Sequence, residues 1–186
     1  MRKRTRSAAL GALSGAAAGV LGALAMTPVT RLMYRFERRD WKEREDAARG
    51  GESTFEAAAR KLAGAFGVTL DTRGKRRLGT VLHYAAGFGW GALYGGLLGL
   101  APRRRGFGFG VPFGFAVWLL SDEGLVTALH LAPPPRAFPL YTHLRGLLAH
   151  VTYGAAADGA NRLLHEAIVR DGRRPVARLQ RLIARA

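Results

Sequence analysis

The chain has no cysteine, which removes disulfide frameworks, thiolate zinc sites and cysteine nucleophiles at once. It is short of acids and of lysine. Against 29 Lys and Arg stand 13 Asp and Glu, and only 4 of the 29 bases are Lys, giving a net charge of +16. Also lacking are the short sequences that mark common chemistries: there is no Walker A loop, no H-E-x-x-H and no G-x-S-x-G. GFGFG, from Gly106 to Gly110, has a superficial phosphate-loop look, but it follows no predicted strand and reads as the small face of a helix. At 186 residues nothing forces a second domain.

An excess of positive charge suggests nucleic acid or an anionic membrane surface. Position decides between them. Arg2, Lys3, Arg4 and Arg6 precede one uncharged apolar block; Arg73, Lys75, Arg76 and Arg77 precede the next; Arg103, Arg104 and Arg105 precede a third. Arg170, Arg173, Arg174, Arg178, Arg181 and Arg185 follow a fourth. Cationic flanks around apolar blocks are the pattern of membrane spans, whereas a nucleic-acid module sets its Arg among the polar residues of a folded face. The mean hydropathy is near zero because the Arg-rich ends cancel the spans. A soluble nucleic-acid binder would have no way to hide such blocks.

The expected fold is therefore all-α: an integral membrane bundle of about four Gly-rich helices, at about 8–29, 78–101, 106–131 and 139–165. Ala8 to Val29 has 22 residues without a charge, enough to cross a hydrocarbon core of about 30 Å. With Ala23-Leu24-Ala25 as a cleavage motif it also fits a signal peptide, although the Gly11, Gly15 and Gly19 spacing is a packing pattern that cleavage does not require. Gly87, Gly91, Gly95 and Gly99 repeat that spacing in the second span, and Gly106, Gly110 and Gly114 in the third. Ser121-Asp122-Glu123-Gly124 interrupts the third span, and Pro133-Pro134-Pro135 closes it. Between spans one and two, residues 30–77 are polar, with two short amphipathic helices separated by Gly50-Gly51. The second starts at Ser53 with Glu56 in capping-box spacing and carries Phe55, Leu62 and Phe66; Gly74 ends the segment. Segment 30–77 reads either as a membrane-surface element or as a solvated cap. The basic tail, 170–186, adds a turn or two from Pro175.

The basic turn at Arg103 to Arg105 and the basic tail place both termini on the cytoplasmic side of the inner membrane. Segment 30–77, with 13 Lys and Arg against 8 Asp and Glu, then falls on the outer side, against the charge rule. In that orientation His83 lies about 8 Å into its span and His150 about 15 Å into the last. His83, Asp122, Glu123, His143 and His150 converge in the outer half; Asp158, Asn161 and His165 form a second stripe toward the cytoplasm. Buried acids need a partner or a wet cavity, and imidazole donates, accepts, ligates or titrates. Two or three His with a carboxylate would suit protons or a divalent cation; the same residues also serve as interhelical hydrogen bonds. Asp122 and Glu123, adjacent on a helix, point about 100° apart and cannot share a partner. Tyr84, Trp90, Tyr94 and Tyr153 read as packing aromatics.

The order of LHYAAGFGWGALYGGL, GFGFGVPFGFAVWLL, SDEGLVTALHLAPPP and HLRGLLAHVTYGAAADG resembles the YagU-like family of uncharacterised bacterial inner-membrane proteins over His83 to Asn161. The resemblance implies a small multi-span membrane protein, with an acid-stress association for one relative, and carries over His83, Glu123 and His150 by position. No cofactor is expected, a divalent metal being the one the donor set would accept. The expected partners are the lipid bilayer, anionic lipid at the Arg-rich flanks and a second copy of the chain as a homo-oligomer, rather than nucleic acid. No enzyme signature is present, so the expectation is a non-enzyme that handles protons or a cation, or else a structural or interaction protein.

Overall fold

The structure, a computed structural model, describes residues 2–100 and 108–183, with side chains described over 4–100 and 108–168. It is all-helical, with no strand among the described residues. The helices are α1 (Arg2–Phe36), α2 (Arg39–Arg49), α3 (Thr54–Ala65), α4 (Thr72–Leu100), α5 (Gly110–Trp118), α6 (Val126–Ala128) and α7 (Leu140–Ile183). A π-helical segment, Leu119–Leu125, joins α5 to α6 without a break, and a 3-10 turn, Pro135–Ala137, precedes α7. The basic turn Arg103 to Arg105 and the first two residues of GFGFG, Gly106 and Phe107, lie outside the described residues, as do the side chains of the 170–186 tail.

Glycine sets the bundle. α1 and α4 run antiparallel so closely that a β-carbon on Gly11, Gly15 or Gly19 would strike the carbonyl of Gly95, Gly91 or Gly87. α5 and α7 repeat the arrangement: a β-carbon on Gly110 or Gly114 would strike the carbonyl of Gly154 or His150. Small residues admit this backbone-to-backbone approach. α1 thus sits between α4 and α7, and α5 lies on the far flank of α7. α5 returns toward α4 through Phe113, whose ring lies 4.6 Å from Tyr94 and 6.4 Å from Trp90.

Small residues fill much of the space between the helices, and many large apolar side chains face outward. The core between the helices holds Ala16, Ala18, Ala23, Ser14 and Ala157, while Leu13, Leu24, Phe88, Leu97, Phe115 and Leu119 face outward. By length and composition one described helix, Arg4–Phe36, is long and apolar enough to cross a membrane.

Several boundaries differ from the sequence expectation. α1 does not stop at Val29 but carries through Pro28 to Phe36, since a helix ends where its backbone finds a cap, not where its hydropathy falls. Gly74 does not end the polar segment. It lies in the first turn of α4, its N–H donating to Asp71 Oδ1 at 2.7 Å, so the helix starts ahead of the apolar run. The span expected at 106–131 is helical over Gly110 to Ala128, and Ser121 to Gly124 widens it into the π segment rather than breaking it. His130, at φ 52°, turns the chain out after α6. The backbone of α7 stays helical past Pro175 to Ile183, where a turn or two was expected.

α2 and α3 cover one end of the bundle. Ser53 and Glu56 form a reciprocal capping box at the start of α3, and Gly50, at φ 62°, ends α2 in the left-handed conformation that glycine adopts without steric cost. α3 packs on α4, where Gly79 meets the backbone of Phe55. α2 is fixed to α7: Arg145 donates to Glu37 and, at 2.6 Å, to Glu45, and its guanidinium lies over the Tyr34 ring. Thr142 donates to Glu45 at 2.9 Å, and Tyr141 stacks on Trp41.

Candidate functional site

Between α1, α4, α7 and the π segment, under the cap, lies a cavity of about 760 Å³. His83, Asp122, Glu123, His143 and His150 all line it. They do so as pairs. His143 Nδ1 lies 2.6 Å from Glu123 Oε1, and its Nε2 lies 3.0 Å from the Pro135 carbonyl. A carbonyl only accepts, so Nε2 carries a proton, and a second proton sits between Nδ1 and the carboxylate. His150 Nδ1 donates to the Gly146 carbonyl one turn back at 2.9 Å and lies 3.6 Å from Asp122 Oδ2. That leaves Nε2 as the nitrogen not committed to the helix. His83 stands apart from both pairs, edge-on to Phe55 and Tyr84 with ring centroids at 5.1 and 5.3 Å.

The π segment explains how adjacent acids reach different histidines. His143 and His150 stand two turns apart on α7, and Asp122 and Glu123 project from the widened turn toward one each. Among the described residues no group of three or more His, Asp or Glu side chains is placed to hold a metal ion. The donor set for a divalent cation therefore comes in twos rather than as two or three His around one carboxylate.

The second stripe is built differently. Asp158 accepts from Tyr94 at 2.8 Å and from Arg162 at 2.9 Å. Asn161 Oδ1 accepts from the buried hydroxyl of Ser14 at 2.7 Å. His165 and Asn161 border a smaller cavity of about 410 Å³ at the opposite end of the bundle from the cap. Of the aromatics, Tyr94 and Tyr153 are core residues; Tyr153 donates to the Gly87 carbonyl at 2.8 Å and so ties α7 to α4.

Sequence reasoning missed Arg145 and its two acids. Glu37 and Glu45 are buried at 5 % and 4 % exposure, Arg145 at 6 %. Burial holds Glu37 above the usual carboxylate range in spite of the Arg145 charge. Burial acts on Glu45 as well, but hydrogen bonding to Arg145 and the charge of Arg49 outweigh it and bring Glu45 below that range. The available signal was an Arg in the second turn of a helix whose first half is otherwise without Lys, Arg, Asp or Glu until Asp158.

No protein-family model matches the chain, and neither a curated protein nor a solved structure matches it either.

Proposed function

We propose that this chain is a multi-pass protein of the cell inner membrane whose cavity takes up and releases protons through its two His–carboxylate pairs. The observation that carries the reading is the pairing itself: His143 with Glu123 and His150 with Asp122, both facing one cavity. A proton needs one acid–base pair, whereas a bound metal needs three or more ligands.

The membrane part of the reading is supported by this distribution of side chains, since Ala, Gly and Ser inside with Leu and Phe outside suits lipid and would aggregate in water. We place four spans with both termini cytoplasmic. The antiparallel order of α1, α4, α5 and α7 is compatible with this, the cap then lying on the outer side. The cap's basic excess is partly answered within it by Glu43 on Arg39, Glu52 on Lys75 and Arg60, and Glu56 on Arg76. Anionic lipid at the remaining Arg-rich flanks, a homo-oligomer and kinship with the YagU-like family belong to the same proposal. A structural reading is favoured for one part only, the second stripe, because Asp158 and Asn161 are already hydrogen-bonded across helices.

The test is a pH titration of the full chain in lipid nanodiscs with ring-labelled histidine, followed by NMR. The His143 and His150 signals should change within the titrated range, and Asp122→Asn should move the His150 response and not that of His143. Ring signals that stay constant across that range would sink the reading.

A further inference from the structure

We infer that the cavity binds a small organic cation, an amine or quaternary ammonium on an apolar body, with the Asp122 carboxylate as its counter-charge and the Trp118 indole beside it. This rests on the reading of the cavity as an exchange site and names what exchanges with the proton.

The buried charges of the cavity wall answer one another, with Arg145 between Glu37 and Glu45, and Glu123 on His143. Asp122, paired with His150 at longer range, is the least closely held of them. No hydrogen bond holds its carboxylate among the described residues, its side chain is 40 % exposed to the open cavity, and its nearest basic group, His150, is 3.6 Å away. The charged or titratable groups that reach it are His150 on α7, neighbouring Glu123, Arg49 on α2 and His83 on α4. Arg49 is already committed to Glu45 at 2.9 Å. A carboxylate at a mostly apolar wall is costly without a cation.

The wall beside it is partly aromatic. One point directly over the Gly146 α-carbon, where a β-carbon would stand, lies 3.1 Å from Asp122 Oδ2 and 3.2 Å from Trp118 Nε1. The missing side chain of Gly146 thus admits the carboxylate and the indole edge together against α7. Trp118 Nε1 and Ser121 Oγ are both buried without a hydrogen-bond partner. Trp118 brings its Nε1 and Cδ1 edge up to Asp122, and the aromatic lining of the cavity, which includes Phe55, Trp90 and Tyr153, offers ring surface to an ammonium and its apolar body.

The volume, about 760 Å³, falls within the range of small-molecule pockets. An inorganic ion would leave most of it empty and would lack its oxygen ligands. An anion would face Asp122, with Arg49 and Arg145 already paired to acids and Arg31, which also lines the cavity, exposed.

Benzyltrimethylammonium, a fixed cation that cannot itself titrate, is the probe. It is added to the full chain in lipid nanodiscs and read by calorimetry and tryptophan fluorescence, empty nanodiscs being subtracted. Saturable binding is expected, weakened at least about tenfold by Asp122→Asn and kept within a few-fold by Asp122→Glu. Gly146→Ala, which presses on the ends of two side chains without removing a charge, should weaken it too. Equal binding of benzenesulfonate, or undiminished binding by folded Asp122→Asn, would overturn the inference. Cation binding that depends on Asp122 while no histidine ring titrates would uphold this inference and end the proton reading. Titrating histidines with no cation binding would do the reverse.

Discussion

The two ends of the bundle use the same residue types to different effect. Away from the cap, Asp158, Asn161, Ser14 and Tyr94 stand where helices touch, and each is hydrogen-bonded across an interface. Under the cap, the side chains of Asp122, Glu123, His143 and His150 line open volume instead. Polarity inside an apolar bundle acts as an adhesive where it bridges helices and becomes available for chemistry where it lines a cavity.

The comparison can be broken most forcefully at the joint between cap and bundle. Arg145→Met should cost about 3–5 kcal/mol, because Glu37 and Glu45 are left buried and uncompensated. Unfolding measured in a mild detergent checks this, and adding Glu37→Gln and Glu45→Gln should recover part of the loss. Next in size is Gly91→Val. Its side chain meets the Gly15 carbonyl and the α1 backbone, and overpacking of that kind costs about 1–3 kcal/mol. Gly89, where a β-carbon meets nothing within 4 Å, is the matched control and should tolerate Ala with little change.

A pH experiment separates the acids of the cap. Glu45 titrates below its ordinary 4.5 when folded, so its contribution to stability is complete above that value and is lost as pH falls through the lowered one. Glu37 titrates above its ordinary 4.5, so the folded chain takes up its proton first and gains stability as pH falls from the raised value toward 4.5. Glu45→Gln should therefore flatten the acid limb of the stability profile, and Glu37→Gln should remove the gain that precedes it. Smallest on stability, and sharpest for the comparison, are two single-group changes. Tyr94→Phe should lower stability by about 1 kcal/mol and leave histidine titration untouched. Asp122→Asn should leave stability within about 0.5 kcal/mol and alter the titration.

The glycine spacings in α1, α4 and α5 were readable in the sequence because a four-residue repeat of small residues has one geometric consequence on a helix. So was the capping box at Ser53, which needs only local chain. Asp122 and Glu123 could be seen to need different partners, since adjacent residues diverge. Which histidine each would meet was not readable, as that depends on the extra width of the π segment. Arg145 escaped for a related reason: its partners lie 108 and 100 residues away, and nothing near it in sequence is acidic. The start of α4 was misplaced because Asp71 caps a turn that hydropathy assigns to the polar segment.

The seam of Gly11, Gly15, Gly19, Gly87, Gly91 and Gly95 has a genetic consequence. Every amino acid that a single base change can reach from a glycine codon carries a β-carbon, and at these six positions that atom lands on the main chain or a packed methyl of the facing helix. No first mutational step out of glycine is open there without moving a helix. At Gly146 on the cavity wall a new methyl meets only the tips of side chains, and a single step is open. The chain is therefore free to change what its cavity holds long before it is free to change how its helices meet.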